Sequence, residues 1–352
     1  MELNNIIFTL FIVFFGYFFS KHLLSIFIKS KSNLMNDNQF LKTQAFHEDS
    51  TYRLGGVIIF SLLTVVFLYL YFFEKVFYPE YVSFCTLFFL LGLVDDLKIN
   101  ILPKFRLLIM IAFLVILVTS NEIYITKTGL KFLNNLVEID IFSLMFICLC
   151  FLFIINGSNL IDGFNGLLGI HSLIIFIVLF VVNSINENSN LIYILFYVSL
   201  LILIFLKFNF PKAQIFLGDS GAYLIGILIA ISVINTSNLN LAISPFFFCV
   251  LLFYLFFEVF FSFFRKLFFV RRSPLLPDNQ HLHMLFYKLL LKKNKKKLIS
   301  NYTVSIYINL IYLLLIIPAI IFMDNGLFCR YYFFSLLIAY VYFYKILYEK
   351  GK

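Results

Sequence analysis

Tryptophan is absent from the 352 residues, cysteine is scarce at 5, and charged residues make up only 13%. Without tryptophan, aromatic belts at a membrane boundary must be built from the 21 Tyr and 50 Phe. Cys85, Cys148, Cys150, Cys249 and Cys329 lie in or beside apolar runs at no metal-ligand spacing, so they read as core residues. Cys148 and Cys150 flank a single residue and point to different faces of a helix. No small-residue cleavage site follows the first apolar stretch, which is too long for a signal peptide and is expected to remain as a helix. Internal repeats and disordered linkers are also missing, so one integral-membrane domain is expected over 1–352.

The abundance lies in apolar residues, at 62% with a mean hydropathy of +0.99. Soluble domains carry roughly 45–50%, so the expected fold class is an all-α polytopic membrane protein. A span needs about 20 apolar residues. Candidates fall at 5–28, 54–73, 78–95, 101–120, 141–157, 166–183, 190–206, 217–236, 241–263, 303–322 and 327–347, about eleven transmembrane helices. With the N-terminus outside, 22 of the 27 Lys and Arg residues fall on the cytoplasmic side. The C-terminus is then cytoplasmic, and so is the most polar stretch, a basic loop over 264–302. Asp95, Asp96, Asp162 and Asp219 gather on that same face, although only Lys and Arg entered the choice of orientation.

Acids near hydrocarbon are costly and point to function by default. Asp95-Asp96 closes one span, with Lys98, Lys104 and Arg106 close behind. Two adjacent like charges need a cation nearby, and a solvated helix end is the plain alternative. In Asn156-Gly-Ser-Asn159-Leu-Ile-Asp162-Gly163-Phe164-Asn165-Gly166 the polar residues recur every third position, which stacks Asn156, Asn159 and Asp162 on one helix face. Gly163 and Gly166 allow backbone near a ligand, and a capped loop is the alternative. In FLGDSGAYLIG, Asp219 or Ser220 can be an N-cap, yet an acid at a helix N-terminus also suits a site for both a metal ion and phosphate oxygens. His281-Leu-His283 follows Arg271 and Arg272, cations suited to an anionic ligand. No further ligand completes a zinc site there. Arg53-Leu-Gly-Gly opens the second span and says little alone. Glu258 lies two helical turns from Arg265, and either pairing with it or lining a cavity fits. Oxygen ligands with bound phosphates suit Mg²⁺, and a basic loop beside them suits a nucleotide diphosphate. At a membrane boundary this argues for phosphoryl transfer between a soluble nucleotide and a lipid.

The blocks HEDSTYRLGG, LVDDLK with the later Arg106, NGSNLIDGFNGL, FLGDSGAYLIG and SPLLPDNQHLHMLF run in order from residue 47 to 286. In them the chain resembles the polyprenyl-phosphate N-acetylhexosamine-1-phosphate transferases. These include the bacterial enzymes that start O-antigen, enterobacterial common antigen and teichoic acid synthesis. The phospho-MurNAc-pentapeptide translocase and the eukaryotic GlcNAc-1-phosphate transferase are relatives. The resemblance implies Asp219 as principal Mg²⁺ ligand (Mn²⁺ being an alternative ion), with Asn159 a second. It implies Asp95 and Asp96 as an acidic pair near the lipid phosphate, one acting as base or both organising the metal and cations. Asp162, Gly163, Phe164 and Asn165 would line the nucleotide and metal site, and Arg271, Arg272, His281 and His283 would cover the sugar diphosphate. Arg53 and Asn156 are counted among the substrate-binding residues. Arg106 stands where the family usually has Lys.

Met284 replaces a further histidine of some members, and Asn100 falls near a third acid of others, so a DDxxD metal motif is not supported. The SP…PD…HxH pattern matches O-antigen-type enzymes, not the consecutive histidines of the peptidoglycan translocase. The implied reaction moves N-acetylhexosamine-1-phosphate, by default GlcNAc-1-phosphate, from a UDP-sugar to undecaprenyl phosphate in the bacterial inner membrane. The implied partners are those two substrates and the bilayer, with no nucleic acid and with a homodimer left open. Alternatives are another UDP-sugar such as a 6-deoxy-N-acetylhexosamine, a transporter or flippase, or a purely structural role. The transporter reading is disfavoured because coupling-ion sites usually sit near the bilayer midplane.

Overall fold

In a membrane the backbone must satisfy its own hydrogen bonds, which an unbroken helix does. The computed structural model describes residues 3–30, 34–37, 51–99, 101–271, 273, 278–293 and 296–351. Its helices are α1 (Leu3–Ser30), α2 (Gly55–Tyr69, prolonged by a π-helical stretch Leu70–Glu74), α3 (Pro79–Asp96), α4 (Pro103–Ser120), α5 (Lys131–Val137), α6 (Asp140–Ile161) and α7 (Leu167–Ile185). There follow α8 (Ser189–Asn209), α9 (Gly218–Leu239), α10 (Pro245–Leu251), α11 (Phe253–Phe264, prolonged by a π-helical stretch Arg265–Val270), α12 (Leu282–Lys292), α13 (Lys297–Ile321) and α14 (Gly326–Gly351). Proline stands in the first turn of α3, α4 and α10, where its missing N–H costs nothing. Two-residue strands β1 (Asn36–Asp37) and β2 (Thr51–Tyr52) pair antiparallel.

Among the described residues nine helices are long and apolar enough to cross a membrane. The protein is therefore a multi-pass, all-α membrane protein. Two of the eleven expected spans differ from the rest. The stretch expected as one helix over 241–263 is broken at Leu252 into α10 and α11, bent by 74°. The 18 residues of α3 carry Glu80, Asp95 and Asp96, so that helix is less apolar than its neighbours. The basic stretch expected as a loop contains α12, whose residues His283, Met284, Leu285, Tyr287 and Leu290 are buried. That spacing is one face of an amphipathic helix, and it lies against α13 and α14.

Helix α9 is the axis of the molecule, buried over nearly its whole length and touched by α2, α3, α6 and α7. Lipid tails are as apolar as leucine, so close packing and polar ties must hold such helices together. Ties of this kind join Tyr81 to Ser232 at 3.1 Å, Asn183 to Thr236 at 2.8 Å, and Tyr69 to Asn5 at 2.8 Å. Each contributes on the order of 0.6 kcal/mol, so register comes from several acting together.

Candidate active site

The N-terminus of α9 has no side-chain cap of its own, since Leu217 occupies the cap position. The cap comes from α3. Asp96 accepts the backbone N–H of Asp219 at 3.0 Å, the backbone N–H of Ser220 at 2.9 Å and the Ser220 hydroxyl at 2.6 Å. A buried carboxylate at this helix end gains from both the orphan N–H groups and the dipole. The contact needs glycine on both sides. A Cβ on Gly92 would lie 2.4 Å from Ser220 Cα, and one on Gly218 (φ 77°) would lie 2.5 Å from Asp96 Oδ2. The neighbouring chain is stitched in as well. Phe216 N–H donates to Tyr52 O at 2.9 Å, while Gly55 and Gly56 N–H donate to Phe216 O and Leu217 O, each at 2.9 Å. The Arg53 block and the Asp219 block are thereby fixed backbone to backbone.

Held this way, Asp219 keeps its side chain 28% exposed. Asn159 Nδ2 donates to Asp219 Oδ1 at 3.0 Å. Arg106 Nη1 reaches Asp95 Oδ2 at 2.6 Å and Asp219 Oδ2 at 3.5 Å. Arg53 Nη1 lies 3.5 Å from Asp96 Oδ1, and its Nη2 lies 2.7 Å from Asp37 Oδ2. Asp162 ends α6. Burial, with the Asp219 and Asp96 carboxylates adding to it against Arg53, pushes the Asp162 carboxyl well above the usual range. Four acids, Asp37, Asp95, Asp96 and Asp219, thus share two guanidiniums, and the cluster holds more acids than cations.

The adjacent acids that looked equivalent are not. Asp96 spends its two oxygens on three hydrogen bonds to α9, with Arg53 3.5 Å away, and so serves as the cap of that helix. Asp95 is tied only to Arg106 among the contacts above. Asp37 went unnoticed in the sequence because its place opposite Arg53 depends on the pairing of β1 with β2.

Other expected contacts take different places. Asn156 donates to the carbonyl of Leu152 in its own helix at 2.8 Å. Asn165 is buried, its backbone N–H bonded to Asn301 Oδ1 at 2.8 Å and its Nδ2 to Pro211 O at 2.9 Å. Phe164 is buried against His283 and Tyr287. Gly163 is half-buried beside Asp162. His281 lies between Glu258 and Asp278, at 3.1 and 3.2 Å. His283 Nδ1 pairs with the Tyr254 hydroxyl at 3.0 Å, and burial pushes its imidazole down to about 3. Phe164, Asn165, His281 and His283 were expected to meet the nucleotide sugar. In the structure their side chains are buried, each against the protein partners named above. Arg271 is exposed, with φ 52°. Arg272 and His47 lie outside the described residues.

The sequence model of glycosyl transferase family 4 matches residues 79–237, from the start of α3 into α9. The chain is 31% identical over 282 residues to a phospho-N-acetylmuramoyl-pentapeptide-transferase of Dictyoglomus turgidum, covering 78% of this chain and 88% of that one. The chain belongs to glycosyl transferase family 4. It is also 29% identical over 273 residues to an undecaprenyl-phosphate alpha-N-acetylglucosaminyl 1-phosphate transferase of Thermotoga maritima, covering 76% and 78% of the two chains. The stretch shared with family 4 holds Asp95, Asp96, Asp162 and Asp219.

The donor set of this family 4 site can be weighed against a divalent cation. Among the described residues no three His, Cys, Asp or Glu side chains form a metal cage. Magnesium seldom uses such a cage, since it takes one or two carboxylates and fills its shell with water and phosphate oxygens. A half-open Asp219, an adjacent Asn159 carboxamide and uncompensated negative charge fit that habit.

Proposed function

We propose that the protein transfers N-acetylhexosamine-1-phosphate, by default GlcNAc-1-phosphate, from a UDP-sugar to undecaprenyl phosphate. The product would be the lipid-linked start of a cell-envelope glycan such as O-antigen. The reaction would run on the cytoplasmic face of a bacterial inner membrane, where the positive-inside reading places Asp219 and its neighbours. The observation that carries this reading is the cluster at the N-terminus of α9, where Asp219, Asn159, Asp95 and Arg106 converge in a family 4 chain.

A lipid-phosphate oxygen forms a bond to the β-phosphorus of the nucleotide sugar. The bond from that phosphorus to the oxygen bridging to UMP breaks, and its electron pair leaves on UMP. The anomeric C–O bond is untouched, so its configuration is retained. A phosphomonoester with a second pKa of about 6 is already largely dianionic at pH 7, so no general base is required. Asp219 and Asn159 would hold Mg²⁺, which when bound supplies neutralisation of the diphosphate. Arg106 and Arg53, already fixed by Asp95 and Asp37, would offer their remaining N–H donors to phosphate oxygens. Asp96 holds Asp219 in register.

A UDP-MurNAc-pentapeptide donor is the second reading, favoured by the name of the Dictyoglomus turgidum relative. The HLHM loop favours the plain hexosamine. Both are tested by UMP release from purified protein with undecaprenyl phosphate, Mg²⁺ and a donor panel that includes both sugars. Release that requires lipid, stops with EDTA and returns with Mg²⁺ supports the reaction, and the preferred donor names the substrate. No release with any donor, from folded protein, defeats it.

A further inference from the structure

Glu258 is a carboxylate 2% exposed in the middle of the phenylalanine-rich α11. Such a group survives only if its oxygens are satisfied. Oε1 accepts from His281 Nδ1 at 3.1 Å and from the backbone N–H of Leu282 at 3.0 Å. Oε2 accepts from the Tyr340 hydroxyl of α14. On its far side, His281 presents Nε2 to Asp278 Oδ1 at 3.2 Å. Asp278 Oδ2 takes Arg265 Nη2 at 2.7 Å, and Arg265 Nη1 donates to Gln280 Oε1 at 2.8 Å. Tyr344 of α14 donates to the Gln280 carbonyl at 3.0 Å. Segment 278–282 is therefore clasped from below by α11 and from the side by α14.

Each ring nitrogen of His281 faces a carboxylate oxygen, Nδ1 that of Glu258 and Nε2 that of Asp278. Its place is that of a link between two carboxylates. The chain just before the clasp carries Arg271 and Arg272, the cations suited to a nucleotide diphosphate.

We propose that Glu258, braced by Tyr340, is a positioning residue that latches His281 and segment 278–282, and so sets the affinity for the nucleotide sugar. The latch rests on the nucleotide-sugar reading above, and it assigns Glu258 no contact with substrate. Shape changes least in Glu258→Gln, which keeps one acceptor oxygen and loses the charge. Glu258→Ala loses every tie, and Tyr340→Phe loses a single hydroxyl.

The test combines steady-state UMP release with hydrogen–deuterium exchange of the full-length protein in nanodiscs. The expected result for Glu258→Ala is a KM for the UDP-sugar raised about tenfold, the worth of about 1.4 kcal/mol of lost hydrogen bonding. Its KM for the lipid phosphate and its kcat should stay within about threefold, as for losses in ground-state binding. Amide exchange over 278–285 should quicken about tenfold while exchange at the start of α9 stays unchanged. Glu258→Gln and Tyr340→Phe should show smaller shifts of the same kind, and they decide the matter if Glu258→Ala fails to fold. An unchanged KM with unchanged exchange in the folded variants overturns the latch. A fall in kcat at constant KM and constant exchange also overturns it, by placing Glu258 in the chemistry. If the unmodified protein transfers nothing, the proposed function falls, and the exchange comparison alone still decides whether the latch exists.

Discussion

Around Asp219 four carboxylates share two guanidiniums, and Asp219 and Arg106 are each left 28% exposed, whereas around Glu258 each carboxylate oxygen has its own donor and both Glu258 and His281 are 2% exposed. The first cluster is short of positive charge and accessible. In the second, both oxygens of Glu258 are satisfied and buried. In a low-dielectric surround an unpaired charge is expensive and a paired one rigidifies. An incomplete, accessible cluster is therefore built to be finished by a ligand, and a complete one to hold its neighbours still. This difference separates side chains that chemistry in the sequence alone would rank together, since both clusters consist of acids beside cations.

The largest expected effect follows from the open cluster. Asp219→Ala should lower kcat for UMP release by about 10³-fold, comparable to removing a main electrostatic stabiliser. Thermal stability in detergent should barely move, because Asp219 is half-open and α9 keeps its cap from Asp96. An Asp219→Ala protein that loses as much stability as activity would break the distinction between the two clusters.

The next effect distinguishes the two adjacent acids. Asp96→Ala strands two backbone N–H groups and a buried hydroxyl at the start of α9. The cost should be about 2–3 kcal/mol of stability, in line with a lost charged hydrogen-bond acceptor. Activity should fall by about 10²-fold, because Asp219 loses its register. Asp95→Ala should leave the melting temperature nearly unchanged and lower activity less than either. Equal melting shifts for Asp95→Ala and Asp96→Ala would show that the trans cap is not what holds α9.

Much of this arrangement was legible as pattern and little of it as contact. Apolar runs placed the helices, and acids at their ends marked one face. The break at Leu252 lies inside an unrelieved run of Phe, Leu, Tyr, Val and Cys with no glycine or proline at the bend, so no change of polarity announced it. An N-cap was foreseen at Asp219 or Ser220, yet the capping oxygen belongs to Asp96, 123 residues earlier. Asn165 has the chemistry of a ligand-binding carboxamide, and only its partners Asn301 of α13 and Pro211 after α8 reveal a structural tie. Glu258 was visible as a misplaced charge, but its brace Tyr340 stands 82 residues further on. Side chains that serve ligands and side chains that serve the fold share one alphabet, and only geometry assigns the partner.

The smallest expected effect tests how the open cluster grips phosphate. Arg106 uses one nitrogen, Nη1, for both Asp95 and Asp219, which leaves the other N–H donors of its fork for a substrate. Lysine in its place is a point charge with rotatable donors that can still reach Asp95. Arg106→Lys should therefore keep the melting temperature and lower kcat/KM by less than about tenfold, the scale of one hydrogen bond. The resemblance points the same way, since lysine is the usual residue at this position. A loss of about 10³-fold on this exchange would mean that the planar guanidinium itself clamps the diphosphate. Arg106 would then belong with Asp219 as part of what is finished by the ligand, and its contact with Asp95 would be a resting position.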